Sequence, residues 1–518
     1  MVNNTVCRMA ASLALTFFAT HLNGAGFELP QRGMKEMGIA YGGSAALLED
    51  ASAVAHNPAG LIRLDGRQVL GGLTLLRSSF DYDTQVYREL VPGDAGQVPG
   101  PSSGAISRQA EVPHLYYVHR LSDESAFGLG LYVPFASTTK YPGQWAGRYH
   151  ATETYISAIN LSPAYAWRYS DQLAFGVAMV LQYFTGDFQN QIDVGYIAAN
   201  EVIDSVSNRR VLGLNVELRD GPEGVINALA HQFNVKNEME VNSWGYGFKF
   251  GLLWEPWAHT RIGVNYDSGI NHTASGEARR PETLDPEFRQ RLEDAIAATR
   301  LRVGALPVGT IGSQSPEEAV AGAAKAVGPL GAAGGDIELL VTMPETLTLS
   351  AYHQLSGKVA ITGGVTWTNW SRLDELRFSY KDKSERGGSD ITGEGEDVRR
   401  RDLVQPFRWQ DTFRIGIGGI VAVSDAVTLR AGMAFDESPV PDAARRTPRG
   451  PDSDRTIFSV GGSWRISSRW QLDGAFSHTR FSKSRIDNKE NPAGSYHRIE
   501  GSYQGELNTL GLQVNYGF

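Results

Sequence analysis

Apolar and polar residues alternate with a period of two along most of this chain, the signature of strands with one greasy face and one polar face. At the C-terminus Leu510, Leu512, Val514, Tyr516 and Phe518 fall on one side, and Gly511, Gln513, Asn515 and Gly517 on the other. Trp244, Tyr246, Phe248, Phe250, Leu252 and Trp254 alternate in the same way with Gly245, Gly247, Lys249 and Gly251. Fourteen such stretches are present, at roughly 67–80, 112–121, 125–135, 154–168, 172–187, 241–255, 259–271, 345–355, 358–371, 408–423, 427–436, 456–466, 470–482 and 502–518. Six of their connections are very short (122–124, 170–171, 256–258, 356–357, 424–426 and 467–469), seven are long and polar, and the two kinds alternate. Tight turns on one side and long loops on the other predict an all-β fold, a 14-stranded antiparallel transmembrane β-barrel.

A large soluble propeller or sandwich would pack its apolar face on a second sheet and charge the other face liberally. Here the second face carries Gly, Ser, Thr, Asn and Gln, with isolated Lys249, Arg261, Arg414, Arg430, Arg465 and Asp473, as a wet lumen would. Trp167, Trp254, Trp257 and Trp470 stand beside short turns, where an interfacial aromatic girdle belongs.

Residues 25–66 break the alternation. They hold Gly33, Gly38, Gly42, Gly43 and Gly60 and the run His56-Asn57-Pro58-Ala59-Gly60-Leu61, which favours turns and a compact shape. Side chains alone do not fill a barrel this wide, so the segment is expected to be a plug in the lumen. Ahead of it, Arg8, the apolar run Met9 to Ala19 and the small residues Gly24 and Ala25 read as a signal peptide. About eleven apolar residues are too few to span ~30 Å of hydrocarbon. The expected organisation is a signal peptide at 1–24, a hatch at 25–66 and a barrel at 67–518, whose longest loops are 189–240 and 272–340.

The single cysteine, Cys7, lies in that leader, which excludes disulfides, thiolate metal sites and cysteine nucleophiles from the mature chain. The net charge of -9 is spread evenly and argues against a nucleic-acid partner. Neither G-x-S-x-G nor H-E-x-x-H occurs and the eleven histidines are scattered, so no enzyme, cofactor or metal site is expected. An outer-membrane phospholipase, with Ser and His assembled from loops, is the alternative from another class.

The segments Ala25-Gly26-Phe27-Glu28-Leu29, Gly38-Ile39-Ala40-Tyr41-Gly42-Gly43, Glu49-Asp50-Ala51-Ser52 and Asn57-Pro58-Ala59-Gly60-Leu61, in that order, resemble the long-chain fatty acid outer-membrane transporter family of the FadL type, which includes toluene- and xylene-uptake members. The sharp match covers roughly forty residues, and the rest agrees in strand number and in a barrel that ends at the final residue. The resemblance implies a hatch in the lumen, a hydrophobic capture site among the extracellular loops, a tighter inner pocket, and passive release through a lateral opening at a kink in the third strand. It places Gly26 and Phe27 near that pocket and makes Asn57, Pro58, Ala59 and Gly60 the hatch turn that takes part in gating. Pro134, near the upper end of the third strand, lacks a ladder donor and either interrupts the wall pairing there or simply ends the strand.

Sideways exit has a physical reason. At ~0.8 kcal/mol per methylene, releasing a sixteen-carbon tail into water costs on the order of 10 kcal/mol, and exit into lipid avoids it. For the capture surface, Val225, Ile226, Leu229 and Phe233 recur at helical spacing, as do Leu284, Phe288, Leu292, Ile296 and Thr299. Those two helices either line a groove or pack on each other. Ser315 to Glu318 resembles the capping box of a further helix. A substrate carboxylate would meet Arg414, Arg430 or Lys249, unless acids such as Asp473 or Asp436 already neutralise them. The expected setting is the outer membrane of a Gram-negative bacterium, with a monomeric barrel surrounded by lipid and lipopolysaccharide. Its substrate is a hydrophobic small molecule, fatty acid first and monoaromatic hydrocarbon second.

Overall fold

The computed structural model describes residues 26–91, 93–211, 218, 220–280, 285–299, 334–381, 402–489 and 497–518. The expected signal peptide, Leu284 and the 315–318 capping box lie outside the described residues. The chain forms a closed antiparallel barrel of fourteen strands. They are β1 (Arg67–Arg88), β2 (Ser103–Arg120), β3 (Ser125–Lys140), β4 (Glu153–Ser170), β5 (Leu173–Asp193), β6 (Asn234–Trp257), β7 (Thr260–Asp267 continued by Ile270–Arg279) and β8 (Gly334–Met343 and Thr346–Gln354). The ring continues through β9 (Val359–Thr368 and Glu375–Tyr380), β10 (Leu403–Pro406 and Thr412–Ala422), β11 (Val427–Asp436), β12 (Arg455–Arg465), β13 (Trp470–Phe481 and Ser484–Asn488) and β14 (His497–Gly517). β14 pairs along its length with β1, from Gln68↔Gly517 to Arg88↔His497, and this closes the sheet into a cylinder.

The period-two pattern fixes which face meets lipid. Trp244, Tyr246 and Phe248 of β6 are 69%, 82% and 56% exposed, while their neighbours turn inward. Trp254, Trp257, Trp464 and Trp470 are exposed beside the short turns, as interfacial anchors should be. Several strands run further at their loop ends than alternation predicts. β1 reaches Arg88 through Asp81, Asp83 and Gln85, whose polar outward faces suit water above the bilayer.

Residues 26–66 enter the lumen as short helices (Met34–Gly38, Ser44–Leu47 and Ala53–His56) and a 3-10 turn (Pro58–Arg63), nearly all buried. The wall admits them where its inward positions lack side chains. A Cβ on Gly263 would lie 1.8 Å from the Ala45 carbonyl oxygen, and one on Gly176 would lie 2.2 Å from the Ala59 nitrogen. Gly416 meets Gly42, Gly432 meets Ile39, and Gly128 meets Val54 and Leu61 in the same way. The glycine-rich inner face is thus a seat for the plug at these positions, which corrects the wet-lumen reading of that composition.

Asn57 joins plug and wall. Its Oδ1 accepts from the Ala59 N–H (3.0 Å), and its Nδ2 donates to the carbonyls of Ala45 (2.8 Å) and of Leu252 in β6 (3.0 Å). Pro58 begins the 3-10 turn with no N–H to satisfy. Gly60 packs so tightly on Leu48 that a Cβ there would come within 2.6 Å of it.

Candidate functional site

The first described residues form an arm that runs along β3 inside the barrel. The Leu29 N–H donates to the Pro134 carbonyl (2.7 Å), and the Ala136 N–H donates to the Phe27 carbonyl (2.8 Å), with Glu28 and Phe135 as bridge partners. These bonds fall where β3 departs from regular pairing, because its register against β4 shifts between Tyr132 and Phe135. Pro134 does not end the strand, which continues to Lys140. Its carbonyl is occupied by the arm instead of by the wall.

The other side of β3 is open over half its length. β2 and β3 pair only from Leu115↔Leu131 to Arg120↔Ala126. Beyond that point β2 stays with β1 as far as Ser103, and β3 stays with β4 as far as Lys140. Across the gap the Arg108 guanidinium donates to the Lys140 carbonyl (3.0 Å).

Phe27 projects into an aromatic cluster, with its ring 4.9 Å from Trp370, 5.9 Å from Trp409 and 5.9 Å from Phe135. Gly26 sits at φ +54, and a Cβ there would strike both Trp409 and Trp370 within 3 Å, so only glycine fits. Around these residues lies an apolar cavity bounded by Phe184, Phe188, Met343, Leu376 and Phe407. Its free volume is about 30 Å³, room for one or two waters but not for a hydrocarbon chain. The Phe27 ring itself takes up much of the space between these walls.

Arg449, from the loop joining β11 to β12, is the cation on this cavity's wall. One guanidinium nitrogen donates to Thr154 Oγ1 (3.1 Å) and reaches the Gln189 carbonyl (3.4 Å), while the other, buried, has no hydrogen-bond partner among the described residues. Burial pulls its pKa down to about 10, which leaves it charged at neutral pH. The sequence reading passed over this residue.

Arg414 and Arg430, named from the sequence, line no part of this cavity. Arg414 pairs with Glu28 of the arm (3.5 Å) and with Asp436 (3.8 Å), and Arg430 pairs with Glu49 of the plug (2.9 Å). Lys249 pairs with Asp267 (2.6 Å) and donates to the Ala55 carbonyl. All three fasten the plug to the wall. Arg414 and Asp436 neutralise each other across neighbouring strands, as the sequence allowed for such residues.

Among the loop residues, the helix Gly221–Leu229 carries Val225, Ile226 and Leu229, and the helix Pro286–Ala298 carries Phe288, Leu292 and Ile296. Phe233 lies beyond the first helix, and Thr299 caps the second. The structure gathers these residues, but into a shared core. Val225, Leu229, Phe288 and Leu292 are buried, and Phe233 meets Phe288 edge-on at 6.0 Å. They therefore pack on one another and on the helix Val194–Val211, which the sequence reading did not foresee, and they do not face an open groove.

Over residues 15–518 the sequence matches the family described as outer membrane protein transport protein (OMPP1/FadL/TodX). An outer membrane protein of Neisseria meningitidis serogroup B is 26% identical, covering 98% of this chain and 97% of its own length. The long-chain fatty acid transport protein of Escherichia coli O6:H1 is 23% identical, covering 99% and 98%. Among solved structures, a Pseudomonas aeruginosa FadL homologue superposes with a TM-score of 0.72 at 20% identity, covering 95% of this chain and all of that one. The Pseudomonas putida toluene transporter TodX superposes at 0.56 with 16% identity, covering 95% and 99%. With a family match spanning the plug and every strand of the barrel, this chain belongs to the OMPP1/FadL/TodX family of outer-membrane transporters of hydrophobic compounds.

Proposed function

We propose that the protein takes up long-chain fatty acids, which pass through the cavity at Phe27 and leave sideways into the membrane between β2 and β3. One observation carries the fatty-acid assignment: a largely apolar cavity holds a buried guanidinium with an N–H that has no partner among the described residues, Arg449. A carboxylate would satisfy that group through a charge-assisted bond, whereas a plain hydrocarbon has no use for it. The tail supplies the affinity by displacing Phe27 from the aromatic cluster, and the head group supplies the selection. The unpaired stretch of wall above Leu115↔Leu131, crossed on the inside by the arm, supports the exit route. Arm movement would join cavity and gap.

The aromatic lining of Phe27, Trp370 and Trp409 also suits a monoaromatic ring, the substrate class named for TodX. A deletion strain carrying this gene should regain growth on oleate. Rescue on toluene or xylene alone would overturn the fatty-acid reading in favour of the aromatic one.

A further inference from the structure

Three side chains remote in sequence converge at the outer end of the barrel. Asp193 closes β5, His231 lies just before β6, and His497 opens β14. One ligand-type atom from each lies within 4.8 Å of the others. We propose that Asp193, His231 and His497 form a binding site for a borderline-soft divalent cation, Zn²⁺ foremost, which clamps the outer loops together.

The carboxylate is held in place by the backbone. Asp193 Oδ1 accepts the N–H groups of Tyr196 (2.9 Å) and His231 (3.0 Å), which fixes it at the start of the helix Val194–Val211. Oδ2 lies 2.7 Å from His231 Nδ1 and 3.8 Å from His497 Nε2. His231 sits in the left-handed region, at φ +65, and Tyr149 stacks on the His497 ring at 4.3 Å.

An ordinary aspartate–histidine hydrogen bond would explain His231 Nδ1 alone. It leaves His497 fully buried with neither ring nitrogen hydrogen-bonded among the described residues, and a buried polar nitrogen without a partner is destabilising. A cation would satisfy Nε2 by taking its lone pair. With metal–ligand bonds of about 2.0–2.1 Å, tetrahedral ligands stand about 3.3 Å apart, between the two spacings observed here. A fourth position would fall to water or to Tyr149 Oη, which is 2.9 Å from His231 Nδ1.

Two imidazoles and one carboxylate select Zn²⁺, Cu²⁺ or Ni²⁺ over Ca²⁺ and Mg²⁺, which demand more oxygen ligands. The charge balance is one carboxylate against Arg148, whose guanidinium lies over the Tyr149 ring at 4.6 Å and donates to its hydroxyl. His150 stands close by, bonded to the His497 backbone. Arg148 tempers the affinity, so the site should bind reversibly.

The test uses the whole detergent-purified barrel, stripped with chelator and titrated calorimetrically with ZnCl₂. One saturable site is expected, weakened at least ~10-fold in His497→Gln and in His231→Gln and retained in His259→Gln, an exposed turn histidine. Heat-modifiable migration in gels verifies that each variant is folded. Independently of any variant, Co²⁺ added to the stripped wild type should give the intense visible bands of tetrahedral coordination. Absence of saturable Zn²⁺ binding, undiminished binding in both variants, or an octahedral Co²⁺ spectrum would overturn the assignment.

Discussion

The body of the plug, residues 30–66, and its arm, residues 26–29, occupy one lumen but are fastened by different means. The body is held all round: glycines of β3, β5, β7, β10 and β11 receive it, Asn57 bonds to β6, and Glu49 and Arg32 pair with Arg430 and Asp267 of the wall. The arm is held by two backbone bonds to β3, a bond from the Gly26 N–H to Asp452, the Glu28 ion pairs and the Phe27 ring. Many small anchors resist any one competitor. The arm depends on a single greasy anchor, and under the proposed function a greasy substrate competes for that anchor while the body stays seated.

The largest effect should come from unseating the body. Gly263→Val places a side chain onto the Ala45 carbonyl, a contact the rigid strand cannot relieve. The barrel should still form, but planar-bilayer recordings should change from almost no current to a steady open-channel current. A closed variant would show that the glycine seat does not determine plugging.

Next is Phe27→Ala, which removes a buried ring worth ~3–5 kcal/mol in a packed core. Hydrogen exchange should rise sharply at 26–29 and stay low at 44–63. Equal loosening of both would erase the distinction between arm and body. Arg449→Met should weaken oleate binding by ~10–100-fold, the equivalent of a lost charged hydrogen bond at ~1.5–3 kcal/mol. Toluene uptake should not change, and an equal loss for both substrates would remove the head-group role.

The smallest effect concerns pH and belongs to the body alone. Burial, helped by Asp50, raises the Glu36 carboxyl to about 8, so Glu36 is neutral in the seated plug. A raised folded pKa favours the seated state fully below the ordinary carboxylate range, and the advantage is lost as pH rises through about 8. Relative to the intrinsic, base-catalysed rate, protection at 34–57 should therefore fall modestly between neutral and alkaline pH in wild type, and this fall should vanish in Glu36→Gln. A flat wild-type profile would contradict it.

The strands were legible because lipid on one side and the lumen on the other impose a two-residue period that few other folds share. Their outer ends were not, since above the bilayer both faces meet water or loops and residues such as Asp81 and Asp83 lose the contrast. The motif around Asn57 marked a turn, but its bonds to the Ala45 and Leu252 carbonyls belong to tertiary structure. Arg414 and Arg430 stood out by their place on the inner face, and Arg449 did not, because it lies in a loop among Arg445 and Arg446 with no periodicity to mark it. Asp193, His231 and His497 looked scattered because the barrel's closure, which sets β14 against β1, is what brings distant loops together.

The most direct test of the account is to stop the arm alone. Glu28 and Phe135 are antiparallel bridge partners flanked by the two arm–β3 bonds, so their Cα atoms should lie about 4.5 Å apart, within disulfide range. The sole native cysteine, Cys7, precedes the arm in the expected leader, so Glu28→Cys with Phe135→Cys offers a clean pair. Oleate uptake by cells carrying this variant should stop under oxidant and return with reductant, while the barrel stays folded in both states. Equal uptake in the oxidised and reduced states would contradict the claim that the arm must move for substrate to pass.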